Sequence, residues 1–301
     1  MDHAQAVVTF YGSDPPGATV PDAVRLGGPE RQLRDACEPI AMHAVWSGRT
    51  SERLAQLGLD FFAAYVCGRA ANLGEPRGAV VAATFAWFEP LILSGVYDTG
   101  RATVSLDEVT AVRAEATTQS LRDILAGDDP TETADLLAAA AEQADGTGRP
   151  LFSGLRSQGR PSDPVRRLWW ACDLVREHRG DSHVAAAAAA GVGPVEMNIL
   201  TELWLGLPLL SYTSTRAWST ESMTSSVSAL RARGWLAGDA LTPAGRAVRA
   251  EIERRTDLQE QSIVANLGER HGEVCGRLNA WSNLCIAAGQ FPPDLLKRAA
   301  G

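Results

Sequence analysis

The sequence predicts a mainly α-helical protein of two parts, an all-α N-terminal domain over residues 1–150 and a second domain over residues 151–301 with a small β-ribbon. Apolar residues recur at helical spacing through most of the chain. The segment GRPLFSGLRSQGRPSDP at 148–164 is rich in proline and glycine, which is typical of a linker. The last third follows the order helix, helix, helix, β-ribbon, helix.

Composition narrows the class of protein. Hydrophobic residues make up 45% and charged residues 21% of the 301 residues, as in ordinary globular proteins. A net charge of −8 weighs against general nucleic-acid binding, because phosphate contacts need a basic surface. Five cysteines without a CxxC pair indicate reduced thiols. We expect a cytoplasmic protein without membrane contact, since we find neither a signal peptide nor an apolar run that could span a bilayer.

The N-terminal part contains about five predicted helices after an irregular arm. The stretch AVVTF at 6–10 is a candidate short strand or packing arm, and we expect proline and glycine to prevent regular helix over residues 1–28. Ser105 and Glu108 form a capping-box pattern at a helix start. Helical spacing or start and stop signals mark segments 29–47, 53–74, 78–98, 105–129 and 129–145.

The C-terminal part begins with a helix capped by Asp163 and opened by Pro164. We expect Gly180 to end this helix and a second helix to follow over 181–191. Three further helices are predicted at 193–206, 207–218 and 219–236. A Gly-Asp turn, a short strand, a Thr-Pro helix entry and a long amphipathic helix complete the order over 237–257.

The stretch SALRARGWLAGDALTPAGRAVRAEIE resembles the MarR-type winged helix-turn-helix over roughly residues 193–258. The matching positions are Leu230, Gly234, Leu236, Leu241, Thr242, Gly245 and Arg246. The whole chain is similar to a poorly characterised actinobacterial family in which such a module follows an all-α domain and an REHRGDxH segment. The resemblance implies a MarR-like winged-helix C-terminal domain, and it implies no reaction.

The predicted recognition helix from Ser219 is poor in side chains that read DNA. Its first two turns hold serine, threonine, methionine and Glu221, without the arginine, lysine or amide groups that contact base edges. Arg231 and Arg233 come late in the helix, and Asp239 lies at the tip of the wing. The module is therefore either a degenerate, structural or dimerising unit, or a DNA reader of unusual composition.

The stretch CDLVREHRGDSHVAAAAAAG at 172–191 concentrates charged and histidine side chains. One interpretation is structural. His178 and Arg179 would complement the dipole at the end of one helix, and Asp181 would cap the next. The other interpretation is a ligand or catalytic site. It is favoured by Glu177, whose charge a helix C-terminus disfavours, so that it needs a partner such as Arg176, Arg179 or His43.

A functional site would need a pocket beside this cluster, and the N-terminal part supplies aromatic and polar material for one. The candidates for acid–base catalysis are Glu177, His178, His183 and His43. The candidates for ligand binding are Glu38, Arg69, Phe85, Trp87, Phe88, Arg179 and Asp181. Two histidines and a carboxylate also permit a metal site, but their spacing does not favour one, and we predict neither metal nor cofactor.

The leading functional hypothesis is a small-molecule-binding protein with a degenerate winged helix, which holds an apolar or aromatic ligand in a cavity between the two parts. Such a protein would be an enzyme or an accessory factor of natural-product metabolism. The alternative is a MarR-like, ligand-responsive transcriptional regulator that binds DNA. A homodimer is also predicted, because the stretch at 271–291 places apolar side chains on one face that must be buried.

Overall fold

The computed structural model describes residues 1–10 and 27–293. The first half of the chain forms nine helices within the described residues, with a 3₁₀ turn at Ala71–Leu73 after the fifth. They are α1 (His3–Phe10), α2 (Pro29–Ala41), α3 (His43–Trp46), α4 (Gly48–Ala55), α5 (Phe61–Ala70), α6 (Gly78–Phe85), α7 (Pro90–Thr103), α8 (Leu106–Leu125) and α9 (Thr131–Glu142).

The second half adds six helices, two 3₁₀ turns at Thr213–Arg216 and Gly268–Arg270, and one two-stranded ribbon within the described residues. The elements are α10 (Pro150–Ser157), α11 (Pro164–Ala189), α12 (Pro194–Trp204), α13 (Thr220–Ala232), β1 (Leu236–Ala237), β2 (Ala240–Leu241), α14 (Pro243–Leu267) and α15 (His271–Ala287). The ribbon is antiparallel and pairs Leu236 with Leu241. The prediction of a mainly helical chain with a small β-ribbon is confirmed.

Several helices begin where the sequence predicts, because a side chain caps them. The side chain of Asp163 accepts a hydrogen bond from the backbone N–H of Arg166 at the start of α11. Ser219 caps α13 in the same way, and Thr242 followed by Pro243 opens α14. Ser105 caps α8 through the backbone N–H of Glu108. Each cap satisfies a backbone donor that has no partner inside its own helix.

The predicted helix break at Gly180 is wrong. Helix α11 runs through this residue without interruption, so that Glu177 and Asp181 lie in the middle of a 26-residue helix. A glycine costs only about 1 kcal/mol in a helix interior. The burial of the residues on both sides of Gly180 outweighs that cost. A second correction concerns the N-terminal arm, which we expected to be irregular. Residues 3–10, including the candidate strand at 6–10, form helix α1, because no proline or glycine interrupts them. The rest of the predicted irregular stretch, 11–26, lies outside the described residues.

The predicted linker at 148–164 contains a packed helix. Leu151, Phe152 and Leu155 of α10 are buried. Gly154 of this helix packs directly against the backbone of Asn72. A Cβ atom at position 154 would be only 1.6 Å from the Asn72 carbonyl oxygen. Proline and glycine in this segment therefore serve a helix start and a close backbone contact. The boundary between residues 150 and 151 stays a prediction.

One apolar core joins α2, α8, α9, α11, α14 and α15. A second core holds α12 and α13 together with both strands and the first half of α14. The apolar side of α15, including Val274, Leu278 and Trp281, is buried against the same chain. This burial accounts for the apolar face without a partner, and the homodimer stays a prediction.

No single helix in the described part of the chain is long and apolar enough to cross a membrane. Helices α11 and α12 together have the required length and apolar composition, but the chain bends by 109° between them.

Candidate functional site

A cavity of about 120 Å³ lies where α2, α5, α11, α12 and α14 meet the segments around Trp87 and Tyr212. Its lining comes from both predicted parts of the chain. Six of the predicted site residues line it, namely Glu38, Arg69, Trp87, Phe88, Arg179 and His183. The remaining lining residues are Arg31, Arg34, Tyr65, Arg176, Gly180, Met197, Asn198, Thr201, Tyr212, Arg216, Arg249 and Glu253.

The chemistry of this cavity is dominated by arginine. Seven guanidinium groups line it, although the chain as a whole carries a net charge of −8. Five carboxylates contact these arginines among the residues that the structure describes: Asp35, Glu38, Glu177, Glu253 and Asp257. Each guanidinium presents donors in a planar fork that matches a carboxylate or phosphate. A high density of guanidinium donors therefore surrounds this space.

Glu253 of α14 organises three of the arginines. Its carboxylate lies 2.9 Å from Arg31 of α2, 2.5 Å from Arg179 of α11 and 2.7 Å from Arg249 of its own helix. Burial raises the pKa of Glu253, but the charges of Arg249, Arg179 and Arg31 outweigh burial and hold this pKa well below its usual range. The carboxylate therefore stays ionised and fixes three helices around the cavity.

Glu177 is buried and fully paired. Its carboxylate accepts hydrogen bonds from Arg69 at 2.8 and 2.7 Å and from Arg176 at 2.8 Å. Burial raises the pKa of Glu177, but the charges of Arg69 and Arg176 outweigh it and lower the pKa overall. The expected partner Arg176 is confirmed, whereas Arg179 binds Glu253 and Asp257 instead. The helix-dipole argument for Glu177 was wrong, because α11 does not end there.

Some polar atoms on the lining residues have no hydrogen-bond partner in residues 1–10 and 27–293. They include Glu38 Oε2, Arg176 Nε and Arg216 Nε, all of them sealed from solvent. The Arg216 guanidinium lies 4.9 Å from the centre of the Phe88 ring and 4.3 Å from that of Tyr212. Its hydrogen bond goes to the Tyr212 hydroxyl, and no carboxylate of the described chain pairs with it. Buried polar groups of this kind are rare in proteins unless a ligand or water satisfies them.

His183 of α11 presents a neutral imidazole at the cavity. Its Nδ1 lies 3.1 Å from the Thr256 hydroxyl oxygen, and its ring centre lies 5.6 Å from that of Trp87. Burial, together with the charge of Arg249, lowers the pKa of His183 to about 3. The imidazole therefore carries no charge near neutral pH, so it adds no further positive charge to a cavity wall that already holds seven arginines.

The other predicted site residues lie outside the cavity. His43 bonds Ser120, and burial lowers its pKa to about 4. His178 bonds Glu260 at 2.7 Å and packs its ring edge-on against Phe152. Asp181 does not begin a helix of its own, because it lies inside α11; it accepts a hydrogen bond from the backbone N–H of Phe152 in the first turn of α10. The four proposed catalytic residues are thus not brought together at one place.

Phe85 supports the cavity without lining it. Its ring is buried, and the Arg69 guanidinium lies 4.5 Å from the ring centre. A cation over an aromatic face is stabilised when both are shielded from water. Phe85 therefore holds Arg69 in position behind the cavity wall, and its predicted role as a direct ligand contact becomes an indirect one.

The sequence interpretation missed four cavity arginines, Arg31, Arg34, Arg216 and Arg249, and the acid Glu253, and it considered Arg176 only as a partner of Glu177. One signal for them existed. Arg31, Arg34 and Glu38 follow one face of α2 at helical spacing, and Arg176 and Glu177 stand among apolar residues of α11. Charge at helical spacing is usually a solvated face, so the sequence alone did not separate this buried network from an exposed one.

A second cavity, of about 280 Å³, lies on the other side of α11. Its buried charges are Arg113 and Asp173, which approach to 3.6 Å, and burial raises the pKa of Asp173 to about 6. It contains none of the predicted site residues. We therefore treat the arginine-lined cavity as the candidate site.

Comparison with known protein families shows to which family the chain belongs. Residues 30–292 match the family described as the helix-turn-helix family, and this match covers most of the chain. The chain belongs to the helix-turn-helix family. No curated protein and no solved structure matches it significantly. Because the family match includes α2 and α11, the arginine-lined cavity lies within the region that defines this helix-turn-helix protein.

Helices α12 and α14 contribute directly to the cavity. Met197, Asn198 and Thr201 of α12 line it, and Arg249 and Glu253 come from α14. Asn198 and Trp218 both donate hydrogen bonds to the backbone carbonyl of Trp87, at 2.9 and 3.0 Å. Trp218 immediately precedes the cap of α13. The cavity wall and the start of α13 are therefore connected through one carbonyl group.

The exposed side of α13 carries little positive charge. Arg231 at its C-terminal end bonds the Gly238 carbonyl and Asp239 of the ribbon turn, and Arg233 contacts Glu196. The described part of the chain also contains no group of three His, Cys, Asp or Glu residues that could hold a metal ion. The candidate site of this helix-turn-helix protein is therefore the cavity, which arginines, aromatic rings and one neutral histidine line.

Proposed function

We propose that this protein binds a small anionic ligand in the arginine-lined cavity. The observation that carries the proposal is the gathering of seven arginines around one space in an acidic protein. Buried like charges repel one another, and Arg216 has no carboxylate partner among residues 1–10 and 27–293. An anion that accepts hydrogen bonds from several guanidinium groups would relieve this repulsion, and charge-assisted bonds of that kind are the strong ones.

The ligand also meets aromatic surface. Trp87, Phe88, Tyr65 and Tyr212 share the lining with the arginines. A flat group packed against these rings would bury apolar area while its charged end faced the arginines of the same lining. The proposed ligand is therefore an anion that can carry an aromatic part. This keeps the aromatic character expected from the sequence and adds a charge that the sequence did not suggest.

A ligand-responsive regulator is the second candidate function. In this proposal α12, α13, the ribbon and α14 form a MarR-like winged helix, and the bound anion changes the position of α13. The contact of Trp218 and Asn198 with the Trp87 carbonyl favours it, because the same segment supplies two aromatic walls of the cavity. The nearly uncharged outer side of α13 favours ligand binding without DNA recognition.

Titration calorimetry with sulfate tests the proposed function. We expect binding to the wild-type protein, and an increase of the Kd by about tenfold or more in Arg216→Gln, as for the loss of a charged hydrogen bond. Arg246→Gln is the control, because Arg246 is exposed on α14 and does not line the cavity. Equal affinity in all three proteins, or no binding of either sulfate or hydrogen phosphate at millimolar concentration, would contradict the proposal.

Hydrogen exchange separates the two candidate functions. If the protein is a regulator, sulfate changes the exchange of the α13 backbone amides, because the ligand site and the cap of this helix share the Trp87 carbonyl. If it is a ligand-binding protein alone, protection increases around α2 and α11 and stays constant in α13. Amides of α15 serve as the internal reference, since this helix does not line the cavity.

A further inference from the structure

His183 is the cavity residue whose hydrogen-bonding role can be worked out from its partner. Thr256 of α14 is fully buried, and its hydroxyl donates to the backbone carbonyl of Ile252 at 2.9 Å. A hydroxyl has one hydrogen, and this bond uses it. The Thr256 oxygen must therefore accept the hydrogen bond that joins it to His183 Nδ1, so that Nδ1 carries the ring proton.

The other ring nitrogen is consequently an acceptor. In a neutral imidazole with its proton on Nδ1, Nε2 offers a lone pair and no hydrogen. Within residues 1–10 and 27–293, Nε2 of His183 has no hydrogen-bond partner, and the side chain is partly exposed where it lines the cavity. Thr256 thus keeps a hydrogen-bond acceptor in the wall of a cavity whose other polar groups are mainly donors.

The charged groups around His183 keep it neutral. Arg179 precedes His183 by one turn on α11, Arg249 and the acid Glu253 lie on α14, and Arg31 lies on α2. Burial and the nearby arginines together disfavour a proton on Nε2. A ligand oxygen without a hydrogen would bring its lone pair against that of Nε2, whereas a ligand hydroxyl would donate to it.

We propose that the anion held in this cavity carries a hydroxyl group beside its charged oxygens, and that Nε2 of His183 accepts a hydrogen bond from this hydroxyl. The inference rests on the proposed function, since it describes the ligand of the same site. Two kinds of compound share this chemistry. One is a phosphoryl group with a protonated oxygen, and the other is a hydroxy-substituted carboxylate. His183 determines specificity in both cases, and the arginines provide the charge.

Two pairs of probes test the inference by calorimetry at about pH 8. Hydrogen phosphate and sulfate are dianions of the same tetrahedral shape, and only the first carries a hydroxyl. Malate and succinate form the corresponding pair of dicarboxylates. We expect the hydroxyl-bearing member of at least one pair to bind the wild-type protein about tenfold more tightly, because a hydrogen bond replaces a lone-pair repulsion. The pair that shows the preference identifies the source of the hydroxyl.

Variants of His183 assign the preference to this side chain. In His183→Phe the ratio of the two affinities should fall to about one, while sulfate binding is kept. His183→Gln restores an acceptor and should restore part of the ratio. His271→Phe is the control, because His271 bonds the Pro29 carbonyl outside the cavity. Thermal unfolding of each variant without ligand shows whether it is folded.

The outcomes separate this inference from the function on which it rests. Ratios near one for both pairs in the wild-type protein, with clear anion binding, would overturn the hydroxyl requirement and leave the anion site intact. A preference that persists in His183→Phe would assign it to another residue and overturn the role of His183. Absence of binding by all four probes would overturn both the inference and the proposed function.

Discussion

The carboxylate of Glu177 accepts two hydrogen bonds from the Arg69 guanidinium, at 2.8 and 2.7 Å, across 108 positions of sequence. This fork joins α5 to the middle of α11, and Arg176 adds a third hydrogen bond to the same carboxylate. Glu177 is 1% exposed, so its charge is almost fully removed from water. Both arginines line the cavity. The pair therefore sets the shape and the charge of the cavity wall at the same time.

Replacement of Glu177 should be strongly destabilising. Glu177→Ala leaves Arg69 and Arg176 without their carboxylate, and the loss of one partner from a buried ion pair costs about 3–5 kcal/mol. This exceeds the roughly 0.5–2 kcal/mol of a lost cap or surface pair. Urea unfolding at neutral pH measures the difference in the free energy of unfolding.

Glu273→Gln is the matched control for Glu177→Ala. Glu273 accepts two hydrogen bonds from Arg270, like Glu177 from Arg69, but this pair is exposed. An exposed pair contributes about 1 kcal/mol or less, so this variant should unfold nearly as the wild-type protein does. A loss of under 1 kcal/mol in Glu177→Ala would show that the buried arrangement does not hold in solution.

Asp181→Asn should change how stability depends on pH. Burial raises the pKa of Asp181 to about 7, above the usual value near 4 that it regains on unfolding. In the wild-type protein the protonated carboxyl is favoured by folding, so its contribution is fully present below the unfolded pKa. This contribution is lost as the pH rises through about 7. Asparagine does not titrate, and its carbonyl oxygen still accepts from the Phe152 N–H.

The stability of Asp181→Asn relative to wild type should therefore increase by about 1.4 kcal/mol for each pH unit between pH 5 and pH 7, and then level off. The comparison of two proteins that differ at one residue cancels the other titrating groups, including His43 and His183. Denaturant unfolding at several pH values gives the curve. A difference that is constant over this range would mean that Asp181 ionises normally in the folded protein.

Weak binding to DNA is expected at physiological salt. No basic residue precedes Arg231 in α13, and Arg231 itself is engaged by Gly238 and Asp239. Basic readers bind random duplex with a Kd of about 10⁻⁴ to 10⁻⁶ M, through contacts that release counterions. We expect no measurable binding to random duplex at about 150 mM salt in fluorescence anisotropy. A sub-micromolar complex would make the regulator the better proposal.

The sequence predicts local structure well wherever the signal is local. The caps at Asp163, Ser219 and Thr242 each depend on one side chain and a backbone N–H a few residues away, and each helix begins as expected. The Gly238–Asp239 turn between the two strands is local in the same sense. By contrast, Gly180 looks like a helix end, and only the packing of α11 against other helices explains why the helix continues.

The candidate site was predicted in part because its residues come from distant segments. Glu38, Arg69, Trp87, Phe88, Arg179 and His183 were identified from composition near aromatic or charged stretches, and they line one cavity. Arg216 and Arg249 were missed, since each lies in a stretch whose function depends on what packs against it. The partner of Glu177 was missed for the same reason: Arg69 is 108 positions away, whereas the candidates considered were mostly neighbours on the same helix.

Two glycine substitutions test whether the segment at 148–164 is packed or a linker. Gly154→Ala places a Cβ atom 1.6 Å from the Asn72 carbonyl oxygen, so that α10 must move away from the 3₁₀ turn at Ala71–Leu73. We expect a loss of about 3 kcal/mol or more, as in severe overpacking. Gly276→Ala is the control, because Gly276 lies on the exposed side of α15 and a Cβ atom there would meet nothing within 4 Å. That variant should gain up to about 1 kcal/mol, since alanine favours helix more than glycine does. Urea unfolding of both proteins gives the two signs, and a neutral Gly154→Ala would restore the linker interpretation.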